Sequence, residues 1–184
     1  MSAVQSRMVP LGTSAPHFTL PDAISGKLIS LSDIKSDKAT VIMFICNHCP
    51  YVINIRKHLA KFSSEYMQKG IAFAGINSNN FIAYPDDAPD KMKIMAESLG
   101  YKFPYLIDET QEVARAYQAE CTPDFFVYDK DLKLIYRGQY DASRPGNGIA
   151  VTGSDLKRAL DAVLEDKGIA QEQIPSIGCN IKWK

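Results

Sequence analysis

Val41 to Ile45 are apolar without a break, and a short segment apolar on both faces belongs at the centre of a sheet. From Pro50 the period changes. Val52, Ile55, Leu59, Phe62 and Tyr66 fall at alternating spacings of three and four, which is one stripe of a helix that Gly70 ends. Pro50 suits the first helical position, where its missing N–H would be unpaired in any case. Ile71 to Ile76 reads as the next strand, and strand–helix–strand over this distance predicts a βαβ crossover with parallel strands. The polar loop Asn77-Ser78-Asn79-Asn80 leaves the carboxyl end of that strand, the edge at which open α/β sheets bind ligands.

The flanking pattern fills out one domain over residues 1–184, with no internal repeat. Alternation around Phe18 and Leu20, a Ser25-Gly26-Lys27 turn and Leu28-Ile29-Ser30-Leu31 predict a small N-terminal hairpin. Helices are expected at 89–99 and 109–118 with a strand at Tyr105-Leu106-Ile107 between them. A hairpin pairs 125–128 with 134–138, and a closing helix runs near 154–166. The tail 170–184 holds Cys179 and the single tryptophan, Trp183.

Where the central strand meets its helix the chain reads Cys46-Asn47-His48-Cys49-Pro50. A helix start carries unpaired N–H groups and the positive end of the peptide dipoles, which favour a thiolate at Cys49, and a protonated His48 would add to the effect. Equal counts of Lys+Arg (21) and Asp+Glu (21) argue against nucleic acid or an anionic membrane as partner. The start of the chain lacks the apolar core of a signal peptide and no run approaches a membrane span, so a cytoplasmic protein is expected. Four cysteines in that compartment point to catalysis or metal binding more than to structural disulfides.

With Cys121-Thr122-Pro123 opening the later hairpin, the chain resembles the thioredoxin-like fold: a central mixed β-sheet flanked by helices, with an N-terminal β-hairpin extension. Ala15-Pro16-x-Phe18-x-Leu20-x-Asp22 and Gly26-Lys27-x-x-Ser30-Leu31-x-Asp33 resemble the lead-in of the alkyl hydroperoxide reductase and thiol-specific antioxidant family, over a core of about 8–165. The cysteine strings, including Gly178-Cys179, resemble its peroxiredoxin-like subgroup. The peroxidatic pattern Pro-x-x-x-Thr-x-x-Cys is not kept: counting back from Cys49, Ile42 stands at the proline position and Cys46 at the threonine position. The resemblance implies a thiol–disulfide oxidoreductase first and a thiol-dependent peroxidase second.

By the register of the resemblance, Cys49 is the nucleophile, and Cys46, Cys121 or Cys179 resolves it, with Cys46 nearest in sequence. Thr122-Pro123 is expected to be a cis bond beside the helix, bringing Cys121 near Cys46 and Cys49, with the Thr122 backbone pairing to an extended substrate. His48 and Asn77 are candidates to line the cleft, and Arg137 to offer a cation. Cys179 is either a C-terminal resolving thiol or part of a frayed tail. No cofactor is expected. The partners implied are a disulfide-containing protein or a peroxide, a thioredoxin- or glutathione-type reductant and, by family tendency, a second copy in a homodimer. A different class of reading is a soft-metal site, in which Cys46, His48, Cys49 and Cys121 hold Zn²⁺ or Cu(I). A catalytically idle adaptor on the same fold is a third.

Overall fold

A computed structural model describes residues 3–184. In chain order the elements are β1 (Ala3–Gln5), β2 (Thr19–Pro21), β3 (Leu28–Ser30), α1 (Leu31–Ile34), β4 (Ala39–Phe44), α2 (Pro50–Gln68), β5 (Ile71–Asn77), a 3-10 turn (Pro85–Asp87), α3 (Pro89–Leu99), β6 (Tyr105–Ile107), α4 (Glu112–Tyr117), β7 (Cys121–Thr122), β8 (Asp124–Asp129), β9 (Leu134–Gly138), α5 (Ser154–Leu164) and β10 (Ile177–Asn180). The main sheet has the order β6-β5-β4-β8-β9; β4, β5 and β6 are parallel, and β8 and β9 run against them. This mixed sheet with helices on both faces is the α/β arrangement that the resemblance implies.

Alternation along β4 divides the interior. Val41 and Met43 face one core with Val52, Leu59 and Phe62 of α2 and Leu156 and Leu160 of α5. Ile42 and Phe44 face the other with Leu31 of α1 and Ala114 and Tyr117 of α4. Neighbouring side chains of a strand point to opposite faces, so a run apolar at every position is what two cores require. The whole predicted stripe of α2 is buried, and Pro50 is its first residue, as the sequence implied.

Local chemistry fixes several boundaries. Ser30 and Asp33 form a reciprocal capping box at the start of α1. Gly100, in the left-handed region at φ 70°, ends α3 at Leu99, the boundary expected from the sequence. α4 starts later than expected, because Asp108 turns back to accept from the N–H groups of Val113 and Ala114 at 3.4 and 2.9 Å. The β2–β3 hairpin covers the outer strand β6, where Asp22 accepts from the Tyr105 N–H at 2.9 Å.

The sequence pattern did not show a second, three-stranded sheet, β1-β10-β7, that lies outside the main one. Cys179 stands opposite Thr122 on one side and Ala3 on the other, and exposes 3 % of its surface. The frayed-tail alternative for Cys179 is thereby overturned: long-range pairing holds a segment too short and glycine-interrupted to show a strand period. Among the described residues no helix is long and apolar enough to cross a membrane.

Candidate active site

β4 ends at Phe44, and the Ile45 side chain packs into space left by a glycine of the neighbouring strand. At Gly75 of β5 a Cβ would lie 2.8 Å from the Ile45 Cδ1. The chain then turns through Cys46-Asn47-His48 to Cys49, the extended N-cap of α2. Thr122–Pro123 is a cis peptide bond, as expected, and lays the Thr122 side chain and carbonyl against this turn. Cys46 Sγ is 3.4 Å from Thr122 Oγ1, and the Cys49 thiol donates to the Thr122 carbonyl oxygen at 3.2 Å.

Three of the four cysteines converge, though the third is not the one expected. Cys46, Cys49 and Cys179 share one core, and Cys121 is not among them. Successive residues of β7 point opposite ways, so Thr122 takes the face toward Cys49 and Cys121 is turned from it, its sulfur 3.9 Å from the Pro123 carbonyl oxygen. Burial pushes the Cys121 thiol up, and the nearby Asp124 charge adds to that. β10 supplies the third thiol, because its register puts Cys179 directly across from Thr122.

Charge is distributed unequally over the trio. The Cys49 thiol is held well below the ordinary range, chiefly by the neighbouring thiol of Cys179 and then by that of Cys46, against the opposing effect of burial. Cys179 is pushed up first by the same contact and then by burial. Cys46 is pushed up mainly by burial, then by Cys49 and the charge of Asp87. The helix amides matter less than the sequence suggested. The Cys49 side chain makes no capping hydrogen bond, and the Val52 N–H lowers it less than the neighbouring thiols do. The helix positions the sulfur, and the neighbouring thiols do more to favour its anion.

Asp87, which sequence reasoning missed, fastens the turn. Fully buried, it accepts from the Asn47 N–H at 2.8 Å and the His48 N–H at 3.4 Å through one oxygen. Through the other it bonds His48 Nδ1 at 2.6 Å and accepts from Asn79 Nδ2 at 2.7 Å. Its bond to His48 raises the imidazole above its usual value, against burial. Tyr84 stacks on the His48 ring at 5.2 Å. The only sequence hint of this was the position of the loop after β5, at the carboxyl edge of the sheet.

Asn77 belongs to this shell and not to the sulfurs: its Nδ2 donates to the Asp87 carbonyl oxygen at 3.2 Å and its Oδ1 accepts from the Asn79 N–H. Arg137 is also placed elsewhere. It is fully buried, 3.2 Å from Asp124, over the Phe126 ring and bonded to the Gln118 carbonyl, so its cation is already matched. Burial lifts Asp124 to about 6 in spite of that partner. Of the soft-metal donors considered, Cys46 and His48 do come together, but with Asp87 in place of Cys49 and Cys121, their ligand atoms within 4.8 Å. His48 Nδ1 and Asp87 Oδ2 bond one another, and Asp87 also holds the turn, so the trio is built as a clamp more than as a vacant coordination shell.

Residues 11–137 match the model of the AhpC/TSA family. An uncharacterized conserved protein from Geobacillus kaustophilus, solved by crystallography, is 58 % identical, covering 100 % of this chain and 97 % of its own with a TM-score of 0.98. The thiol-disulfide oxidoreductase ResA of Bacillus anthracis is 26 % identical over 125 residues, 68 % of this chain and 67 % of its own length. The thioredoxin domain of a thiol-disulfide oxidoreductase from Bacteroides vulgatus shares the fold at 20 % identity and a TM-score of 0.59, over 71 % of this chain and 89 % of that one.

Proposed function

The chain belongs to the AhpC/TSA family, and from that premise we propose that it is a thiol-dependent oxidoreductase in which Cys49 is the nucleophile and Cys179 closes the disulfide on it. The convergence of Cys46, Cys49 and Cys179 carries this reading, with the anion favoured at Cys49 and the proton at the other two. A low-pKa thiolate flanked by a protonated thiol is the arrangement disulfide exchange uses: the first sulfur attacks, and the second displaces the bound group as its own proton leaves. Cys179 is taken as the partner because β10 sets it directly across from Thr122, whose carbonyl oxygen the Cys49 sulfur meets at 3.2 Å. His48, its imidazole raised by its bond to Asp87, stands beside the same turn. An external thiol reductant, one dithiol of the thioredoxin type or two molecules of the glutathione type, in a cytoplasmic setting, returns the pair to the reduced state.

Peroxide reduction and disulfide exchange are its two readings, and complete burial of Cys49 favours the first, since a small oxidant needs less room than a protein segment. Both readings predict the same disulfide. Reduced protein treated with one equivalent of oxidant and mapped by mass spectrometry is expected to yield Cys49 linked to Cys179. In Cys179→Ser the product becomes either a sulfenic acid at Cys49 that dimedone traps or a Cys46–Cys49 disulfide, and multiple turnover falls by about tenfold or more. A wild-type product linking Cys46 to Cys49, with Cys179 alkylatable, would return the resolving role to Cys46.

A further inference from the structure

What covers Cys49 can be named residue by residue. β10 lies on β7 with Cys179 opposite Thr122 and Asn180 opposite Cys121. Gly178 makes the tightest approach: a Cβ there would sit 2.0 Å from the Thr122 carbonyl oxygen and 2.6 Å from its carbon. That oxygen is the one the Cys49 thiol bonds. Backbone therefore lies directly on backbone above the reacting sulfur.

The strand is tied down at both ends. Before it, Ser176 Oγ donates to the Gly138 carbonyl at 2.7 Å, and the Ser176 carbonyl accepts from the Ser6 N–H at 2.9 Å. Beyond it, the Lys182 N–H donates to Asn79 Oδ1 at 2.8 Å, and its carbonyl accepts from the Asn80 N–H at 2.8 Å and from Gln111 Nε2 at 2.9 Å. Alongside, a crevice bounded by Tyr51, Pro123, Tyr140, Arg144 and Ile177 holds about 10 Å³, room for about one water.

Resting on the assignment of Cys49 as the reacting thiol, we propose that β10 is a size filter with Gly178 as its specificity-determining residue. While paired to β7 it admits small oxidants such as hydrogen peroxide to Cys49 and excludes the extended chain of a protein disulfide. With hydrogen peroxide the Cys49 thiolate attacks one oxygen, an S–O bond forms as O–O breaks, and the departing hydroxide takes a proton to become water. Cys179 sulfur then attacks the sulfenic sulfur; S–S forms, S–O breaks, and a second water leaves with the Cys179 proton. The two electrons are restored by an external dithiol. Attack on a protein disulfide needs access for both sulfurs and the chains that carry them, and β10 occupies that space.

The test uses the full-length reduced protein and an oxidant series: hydrogen peroxide, cumene hydroperoxide and insulin. Oxidation of Cys49 is followed by loss of its alkylation, and each rate is divided by the rate of the same oxidant with glutathione. In the wild type the normalised rate is expected to fall by at least about tenfold from hydrogen peroxide to insulin. Gly178→Ala, which forces β10 off Thr122, is expected to narrow that fall to within about threefold. Equal normalised rates in the wild type overturn the filter, as does a folded Gly178→Ala protein that keeps the wild-type fall. Should that variant fail to fold, the wild-type series decides alone. A Cys49 that stays reduced with every oxidant removes the assignment of the nucleophile as well, whereas one that reacts alike with all removes the filter alone.

Discussion

Cys49→Ser is expected to abolish dithiol-dependent turnover, by on the order of 10³-fold or more, with either a disulfide or a peroxide as oxidant. A serine hydroxyl is not ionised near neutrality and cannot form the disulfide, and no other thiol replaces it: Cys46 and Cys179 are both pushed toward the protonated form. In the wild type, the rate of Cys49 alkylation is expected to rise with pH and level off below about 8.5, the value for an unperturbed thiol. Because its folded pKa is depressed, the stability this thiolate contributes is present above the unfolded value and is lost as pH falls through the folded one. Cys179→Ser is expected to move the alkylation profile toward higher pH, since it removes the largest influence on that anion. A profile unchanged by Cys179→Ser would show that the helix amides, and not the neighbouring thiol, govern Cys49.

Asp87→Ala is expected to lower unfolding stability by about 3 kcal/mol, read from the urea midpoint at constant m-value. The fully buried carboxylate accepts from two backbone N–H groups of the 46–49 turn, bonds the His48 imidazole and accepts from the Asn79 amide. Removing it leaves buried donors without partners, and each such group costs about 1–3 kcal/mol. The effect should depend on pH with a definite sign. His48 has its folded value raised by Asp87, so the pair's contribution is complete below the unfolded value of about 6.5 and disappears as pH rises through the folded value. The stability gap between wild type and Asp87→Ala is therefore expected to shrink from pH 6 to pH 9. A gap that grows over this range would contradict the ion pair.

The sequence was most informative where period and local chemistry agree. The 52-55-59-62-66 stripe, Pro50 at the first turn and the both-faces-apolar strand before it leave few alternatives, so the βαβ unit and the placement of Cys46 and Cys49 at its joint were legible. The helix over 89–99 and the hairpin of 125–128 with 134–138 were equally plain. The N-terminal motifs carried the family. The same reading misassigned the third thiol, because Thr122-Pro123 draws attention to its neighbour Cys121, while the side that Cys121 faces depends on how β7 is paired.

The chain's own residues thus determined the central strand, the helix that follows it and a reactive-cysteine position at their junction, since hydrophobic period, proline geometry and helix capping act within a few residues of each other. Tertiary structure alone decided that Cys179 and not Cys121 faces Cys49, that Asp87 holds His48, and that β10 closes over the site. Those contacts join segments at least 39 positions apart through backbone pairing and single buried polar bonds, interactions with no local period for a sequence to display.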